Sequence, residues 1–301
     1  MATAAPIDQP EAEGKRASAR FSGGRSKPEA GDLTELRSAD AYCRYLTRRH
    51  YENFSVVSAF LPRTTRTHLA RIYAFCRTTD DFGDESNGRG LTRLAVWREE
   101  LLDCFSADAA PIHPVLIALS VTIRQVGLPS EPFLELIQAN IQDQTVGSYE
   151  SWEDLRGYCR LSAAPVGRMV LRIFGVTDVR AFSLSDDVCI GLQLANHAQD
   201  VRRDSLRGRN YLVQSIVRDH GVEGGVRDLV ERAEQLLASG VELERVVPRR
   251  LKAQLSLYRR GGLEVAKAIR SLDYRTDVTR PTVSRVAKLA LVAKTIGECV
   301  A

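Results

Sequence analysis

The chain has 301 residues, 44% of them hydrophobic and 27% charged, the balance of an ordinary globular fold. Its formal net charge is only +4, and its lysines and arginines are spread along the sequence, so no nucleic-acid surface is expected. The six cysteines show no C-x-x-C spacing, no run of about 18 uncharged apolar residues occurs, and the first residues lack a basic start followed by an apolar stretch; zinc ribbons, disulfide frameworks, membrane spans and export are therefore not expected, and a cytoplasmic location is.

Residues 1–37 are rich in Ala, Gly, Pro, Glu, Lys and Arg, with one aromatic, Phe21, and are expected to form a disordered extension. The fold is expected to begin near Ser38, which reads as an N-cap before Tyr42, Tyr45 and Leu46, and to continue to residue 301 as one all-α domain. Nowhere do Val, Ile and Thr alternate with polar residues for long enough to make a sheet. Breaks at Pro62, Asn87-Gly88, Pro111 to Pro114, Gly127, Gly147-Ser148, Gly175, Gly208, Gly221 to Gly225, Gly240, Pro248, Gly261-Gly262 and Pro281 divide the chain into roughly ten helices of ordinary length.

Arg66 to Glu85 reads as one helix. Tyr73, Arg77, Asp80 and Asp84 fall on one face of it, beside the apolar Leu69, Ile72, Ala74, Phe75 and Cys76. The run Asp80-Asp81-Phe82-Gly83-Asp84-Glu85 puts four acids at a helix C-terminus, where the macrodipole disfavours them. A functional reason is available: Asp80 and Asp84 offer hard oxygen ligands to Mg²⁺, and Arg77 offers a bidentate partner to phosphate. Asp81 and Glu85 lie off the stripe as supporting groups. The structural alternative is a solvated helix end before the Asn87-Gly88 turn.

Val188 to Leu206 reads as a second helix of this kind. Asn196, Asp200 and Asp204 are one turn apart and line one groove; Gln193 shares the stripe, and His197 and Gln199 flank it. The alternative is an exposed helix with Asp200–Arg203 and Asp204–Arg207 pairs, worth roughly a few tenths of a kcal/mol each. Further along, Val283 to Val300 is amphipathic, with Val286, Leu289, Val292, Ala293 and Ile296 on one side. It is expected to dock on the domain, with peripheral contact to a membrane as the alternative.

Together the two acidic helices resemble the squalene/phytoene synthase family. The resemblance rests on Ile72-Tyr73-Ala74-Phe75-Cys76-Arg77-Thr78-Thr79-Asp80-Asp81 and Leu192-Gln193-Leu194-Ala195-Asn196-His197-Ala198-Gln199-Asp200, in that order, and extends from about Tyr42 to Ser284. It implies an all-α isoprenoid-synthase bundle around a central cavity, acting on an isoprenoid diphosphate. It implies two or three Mg²⁺ ions held by Asp80, Asp84, Asn196, Asp200 and Asp204, with Tyr73 and Arg77 against the diphosphate. Gly208-Arg209-Asn210-Tyr211-Leu212 resembles the family's Gly-Arg-x-Tyr-Leu loop, which brings Arg209 and Tyr211 to the same place; Arg63, Arg66, Arg207, Tyr258 and Arg259 are further candidates for closing over it.

Three segments resemble the bacterial hydroxysqualene synthases of hopanoid pathways within that family: Tyr51-Glu52-Asn53-Phe54-Ser55-Val56, Tyr158-Cys159-Arg160-Leu161-Ser162-Ala163-Ala164-Pro165-Val166-Gly167, and Asn196-His197-Ala198-Gln199-Asp200. Ser55 departs from the Pro common there. The reaction so implied is ionisation of presqualene diphosphate, rearrangement of the cation and capture by water, without nicotinamide. The alternatives are condensation of two prenyl diphosphates to presqualene diphosphate, squalene or phytoene, and a non-catalytic assembly role. Expected substrate contacts are Asn53, Ser58, Tyr158, Val166, Gly167, Gln193, His197, Gln199, Arg209 and Tyr211. Asn53, Tyr158, His197 and Gln199 are the candidates for placing the water. An apolar wall is expected from Phe54, Val57, Phe60, Phe75, Val166, Met169, Val170, Leu192 and Ala195, for each of which plain core packing is the stronger reading. Other enzymes of the pathway are possible partners.

Overall fold

The computed structural model of the protein describes residues 30–50, 61–84, 88–106 and 108–300. Asn53, Ser58, Phe54, Val57, Phe60 and Glu85, and the expected disorder of residues 1–29, lie outside the described residues. The helices are α1 (Ala30–His50), α2 (Arg63–Gly83), α3 (Gly90–Asp103), α4 (Pro114–Val126), α5 (Glu131–Gln142), α6 (Trp152–Ser162), α7 (Ala164–Ile173), α8 (Val179–Gln199), α9 (Val201–Ser205), α10 (Gln214–Ala238), α11 (Gly240–Val246), α12 (Arg249–Arg270) and α13 (Arg285–Val300). Their ends follow local chemistry. Asp178 accepts the Arg180 N–H to start α8, Ser151 and Asp154 form a reciprocal capping box on α6, and Gly127 ends α4 in the left-handed conformation.

Three expectations are corrected here. Ser38 is not an N-cap, and residues 30–37 of the extension expected over 1–37 are helical, because α1 starts at Ala30 and runs through them. Ser38 is exposed, while Ala39, Cys43 and Leu46 one turn apart supply the buried stripe that holds the helix. A small parallel pair of strands is also present, β1 (Ser148–Tyr149) and β2 (Asn210–Val213). It is too short to show as an alternating pattern, and it fastens the loop after α9 to the loop before α6.

One apolar core joins α1 to α5 around Phe75, Trp97, Leu116 and Phe133. Phe75 stacks on Trp97 at 5.6 Å and meets Phe133 edge-on at 5.1 Å, so Phe75 is core, as is the fully buried Met169. A second core joins α5, α6, α8, α10, α12 and β2. Helix α8 runs through the middle of this half, packed against α7, α10, α11 and α12.

Charged groups inside the bundle are paired, as desolvation demands. Arg71, only 4% exposed, binds Asp40 with both ends of its guanidinium (2.8 and 3.1 Å) and also Thr122, tying α2 to α1 and α4. Arg168 binds Asp186 (2.9 and 2.7 Å) and Glu135 (3.2 Å), tying α7 to α8 and α5. Arg259 is taken by Glu244 at 2.7 Å, so it locks α12 to α11 and is not turned to the place expected for the diphosphate.

The expected docking side of α13 is not fully covered. This helix packs on α12, but Val286 and Leu289 are exposed. Among the described residues no helix is long and apolar enough to cross a membrane.

Gly167, expected as a substrate contact, is where α7 meets α8. A Cβ there would stand 2.4 Å from Ser185 Oγ and 2.6 Å from Cys189 Sγ. Gly167→Ala is therefore expected to force the helices apart and lower stability by roughly 1–3 kcal/mol. A urea-unfolding midpoint identical to that of the unchanged protein would show that the contact is not tight.

Candidate active site

The first acidic box closes α2. Asp84 is the C-cap, its N–H bonded to the Asp80 carbonyl at 2.8 Å. Gly83 beside it allows α5 to come close, since a Cβ would fall 2.4 Å from Asn140 Oδ1. That closeness lets Asn140 Nδ2 donate to Asp80 at 3.3 Å and Gln144 Nε2 donate to the Gly83 carbonyl at 2.6 Å. Asp80 is reached by solvent yet crowded by protein, as a carboxylate on the wall of a cleft is. This crowding pushes its carboxyl up to about 6, with Asp84 and Asp81 adding to the rise and Asn140 and Arg77 opposing it.

Arg77 lies on the same stripe. Its Nη2 donates to Asp81, one turn on, and Tyr73 and Asp80 help to hold its charge. Its Nε is buried and, among the described residues, has no hydrogen-bond partner. A buried cationic donor left open is a place for an anionic oxygen.

The second box departs from a single helix. Helix α8 ends at Gln199, Asp200 takes φ −104° and ψ 17°, and α9 resumes at Val201. The break is a bend, because Asp200 N still bonds the Asn196 carbonyl and Asp204 N the Asp200 carbonyl, each at 2.9 Å. The one-turn spacing of Asn196, Asp200 and Asp204 therefore survives. Asn196 is exposed. Asp200 receives the Arg280 guanidinium and lies 3.5 Å from Arg203. Asp204 lies 3.9 Å from His197 Nδ1. Of the two pairs in the exposed-helix alternative, Asp200–Arg203 is present, whereas among the described residues Asp204–Arg207 is not.

Arg207 instead crosses to the first box. Arg209 Nη1 lies 3.0 Å and Arg207 Nη1 3.3 Å from the two oxygens of Asp84. The β1–β2 pair directs them there by anchoring Asn210 N to the Gly147 carbonyl at 2.8 Å. Segments more than 120 residues apart thus meet at one carboxylate.

The chain after α12 lies along the second box. Gln199 Nε2 donates to the Pro281 carbonyl at 2.8 Å, Arg280 Nη2 to Gln199 Oε1 at 3.3 Å, and Arg202 Nη1 to the Val278 carbonyl at 2.9 Å. Gln199 is therefore engaged with this strap, away from any water-placing role.

Four residues expected as substrate contacts, Tyr158, Gln193, His197 and Tyr211, come together in a polar cluster around Asp143, which the sequence did not single out. Asp143, the C-cap of α5, accepts the hydroxyls of Tyr158 and Tyr211, each at 2.9 Å. Tyr211 is sandwiched, with the Tyr158 ring 5.3 Å away and the His197 ring at 3.8 Å; Gln193 reaches the far nitrogen of His197 at 3.2 Å. Burial raises the Asp143 carboxyl above the usual range, opposed by Arg209 and the two hydroxyls, and burial raises both phenols as well. The only trace in the sequence is the polar run Asn140, Asp143, Gln144 ahead of Gly147, which no periodicity distinguishes from a helix end.

Among the described residues no three His, Cys, Asp or Glu side chains are gathered to hold a metal ion. The acids are met by arginine instead: Asp84 by Arg207 and Arg209, Asp200 by Arg203 and Arg280, Asp81 by Arg77. The donor set nevertheless suits a hard divalent cation together with an anion. Its ligands are oxygen, and among the described residues Asp80 has no ion-pair partner and Arg77 keeps an open donor.

Comparison with known proteins bears on this arrangement. The family model for squalene/phytoene synthase matches residues 47–287. Hydroxysqualene synthase of Rhodopseudomonas palustris is 34% identical over 182 residues, 59% of this chain and 60% of that protein. Phytoene synthase of Arthrospira platensis is 29% identical over 196 residues, 60% of this chain and 63% of that protein. The matches to these curated relatives thus span less than two thirds of their length. A squalene synthase crystal structure from Alicyclobacillus acidocaldarius is 46% identical, with TM-score 0.75 over 81% of this chain and 98% of that one. A dehydrosqualene synthase, 23% identical with TM-score 0.78, shares the fold.

The raised carboxyl of Asp80 has a measurable consequence. The folded protein holds a proton there between its ordinary value of 3.8 and about 6. Stability gained from that proton is fully present below about 3.8, partly present at about pH 5 and lost as pH rises through about 6. Thermal unfolding of metal-free protein is expected at a lower temperature at about pH 7 than at about pH 5, with Asp80→Asn flattening the dependence. Parallel curves for the two proteins would remove Asp80 as its source.

Proposed function

This chain belongs to the squalene/phytoene synthase family, and from that premise we propose that it converts presqualene diphosphate to hydroxysqualene by diphosphate departure, cation rearrangement and capture by water. The observation that carries the reading is the meeting of the two acidic boxes through Arg207 and Arg209 at Asp84, beside the open Nε of Arg77. Such a site is made for a leaving group that is both anionic and accompanied by cations. The 34% identity to a hydroxysqualene synthase supports the choice of product.

Diphosphate leaves a cyclopropylcarbinyl carbon only when its developing charge is neutralised. In this reading Asp80, Asp84, Asn196, Asp200 and Asp204 hold Mg²⁺, which when bound supplies that electrostatic neutralisation. Arg77 takes a phosphate oxygen through its free Nε. Arg207 and Arg209 leave Asp84 for the diphosphate as the acids acquire other partners, and Arg280 leaves Asp200 likewise. Tyr73 steadies Arg77. The apolar cores on both sides exclude stray water from the cation. No redox step occurs, so nicotinamide has no part. The exposed Val286 and Leu289 on α13 offer a side for peripheral lipid contact, suited to an enzyme with a hydrocarbon-like product.

Condensation of two prenyl diphosphates is the second reading, favoured by the similarity to phytoene synthase. Incubation of the full chain and Mg²⁺ with presqualene diphosphate in ¹⁸O-water separates the two. Labelled hydroxysqualene is expected; squalene formed only with NADPH, or condensation of farnesyl diphosphate supplied alone, would overturn the reading. Arg77→Met is expected to slow diphosphate release on the order of a hundredfold while helicity by circular dichroism is unchanged. Release at the unchanged rate would remove Arg77 from the site.

A further inference from the structure

The cluster around Asp143 constrains where hydrogens lie. An ionised carboxylate can only accept hydrogen bonds, so both phenols that touch it, Tyr158 and Tyr211, must donate. Each phenol has one hydrogen, and each is spent. What remains on the two oxygens is lone pairs, 3.5 Å apart. A phosphate oxygen, itself only an acceptor, gains nothing from such a pair. A water molecule does: the separation allows one water to donate a hydrogen to each phenol oxygen. Its own lone pairs then point away from both.

Space and location agree. Tyr211 lines a cavity of about 210 Å³ together with His197, Asp204 and Arg209, large enough for water and shared with groups of the acid site. The stack of His197, Tyr211 and Tyr158 holds the rings in place, so the hydroxyls cannot swing toward a charged ligand without breaking both packing and hydrogen bonds.

Resting on the water-capture reading above, we propose that Asp143 is a positioning residue: by taking the hydroxyl hydrogens of Tyr158 and Tyr211 it turns their oxygens into a paired acceptor that holds the quenching water with its lone pairs free. At capture, the water oxygen forms the new C–O bond with the carbocation and one water O–H bond breaks. The proton passes to the phenol oxygen that accepted it, and that phenol's own proton passes to Asp143. The positive charge of the cation thus ends as a neutral carboxylic acid, which returns its proton to solvent before the next turnover. The elevated carboxyl of Asp143 suits this temporary load.

The test uses the whole 301-residue chain with Mg²⁺ and presqualene diphosphate in ¹⁸O-water, and reads labelled alcohol formed per diphosphate released. Asp143→Asn keeps the shape but replaces one acceptor with a donor, so one phenol must turn its hydrogen outward. The ratio is expected to fall on the order of tenfold or more, with elimination products in place of alcohol. Tyr158→Phe and Tyr211→Phe should each lower it in the same direction, and they carry the test if the Asn variant does not fold. Ultraviolet resonance Raman, which distinguishes donating from accepting tyrosines, should show donating phenols in the unchanged protein and fewer in Asp143→Asn, independently of turnover. An undiminished ratio in all three variants, or no donating tyrosine in the unchanged protein, overturns the inference alone. Absence of labelled alcohol from the unchanged protein overturns it together with the proposed function.

Discussion

A carboxylate on the wall of a helical bundle needs positive charge nearby, and the pairing of Asp84 with Arg207 and Arg209 meets that need from the far side of the chain. This contact brings the two acidic helices into one site, and much of the surrounding geometry serves it. The two short strands hold the arginine loop in place, the bend at Asp200 preserves the spacing of the second box, and Arg280 brings the C-terminal strap onto it. At Asp84 and at Asp200 an arginine balances the acid. The protein thereby keeps a cluster of carboxylates folded together without leaving them to repel one another.

Not every carboxylate is balanced in this way. Among the described residues the side chain of Asp80 has the amide of Asn140 as its one direct partner, and Arg77 beside it keeps one buried donor open. These two unmet groups, one needing a cation and one an anion, lie on a single stripe of α2. An ionic ligand that carries both signs satisfies them together, whereas a simple structural ion pair would have closed them on each other. Gly83 enforces the arrangement, since a side chain there would occupy the place of the Asn140 carboxamide.

The end of α5 gives the site its third wall. Asn140 reaches Asp80, Gln144 reaches the backbone of Gly83, and Asp143 reaches Tyr158 and Tyr211. Three polar side chains within five residues of one helix end thus serve both the acidic box and the aromatic cluster. The charged region and the aromatic region are consequently parts of one wall, with Arg209 near Asp143 and bound to Asp84.

The all-α character, the helix over the first box, the one-turn spacing of Asn196, Asp200 and Asp204, and the shared face of Tyr73, Arg77 and Asp80 were legible in the sequence. All of these depend on helical periodicity, a property of neighbours along the chain. The start of α1 before Ser38, the two short strands and the exposed side of α13 were not, because packing against distant elements decides them. Which arginine meets which acid was equally beyond reach. Local spacing pointed Arg207 at Asp204, whereas a loop anchored by two strand residues turned it to Asp84. Asp143 shows the same limit most plainly: nothing near it in sequence marks it, and only the packing of α5 against α6 and β2 surrounds it with two phenols. The sequence by itself determined what chemistry the helices carry; the tertiary structure decided which groups meet, because ion pairs and hydrogen bonds act over a few ångströms between residues that the chain order keeps far apart.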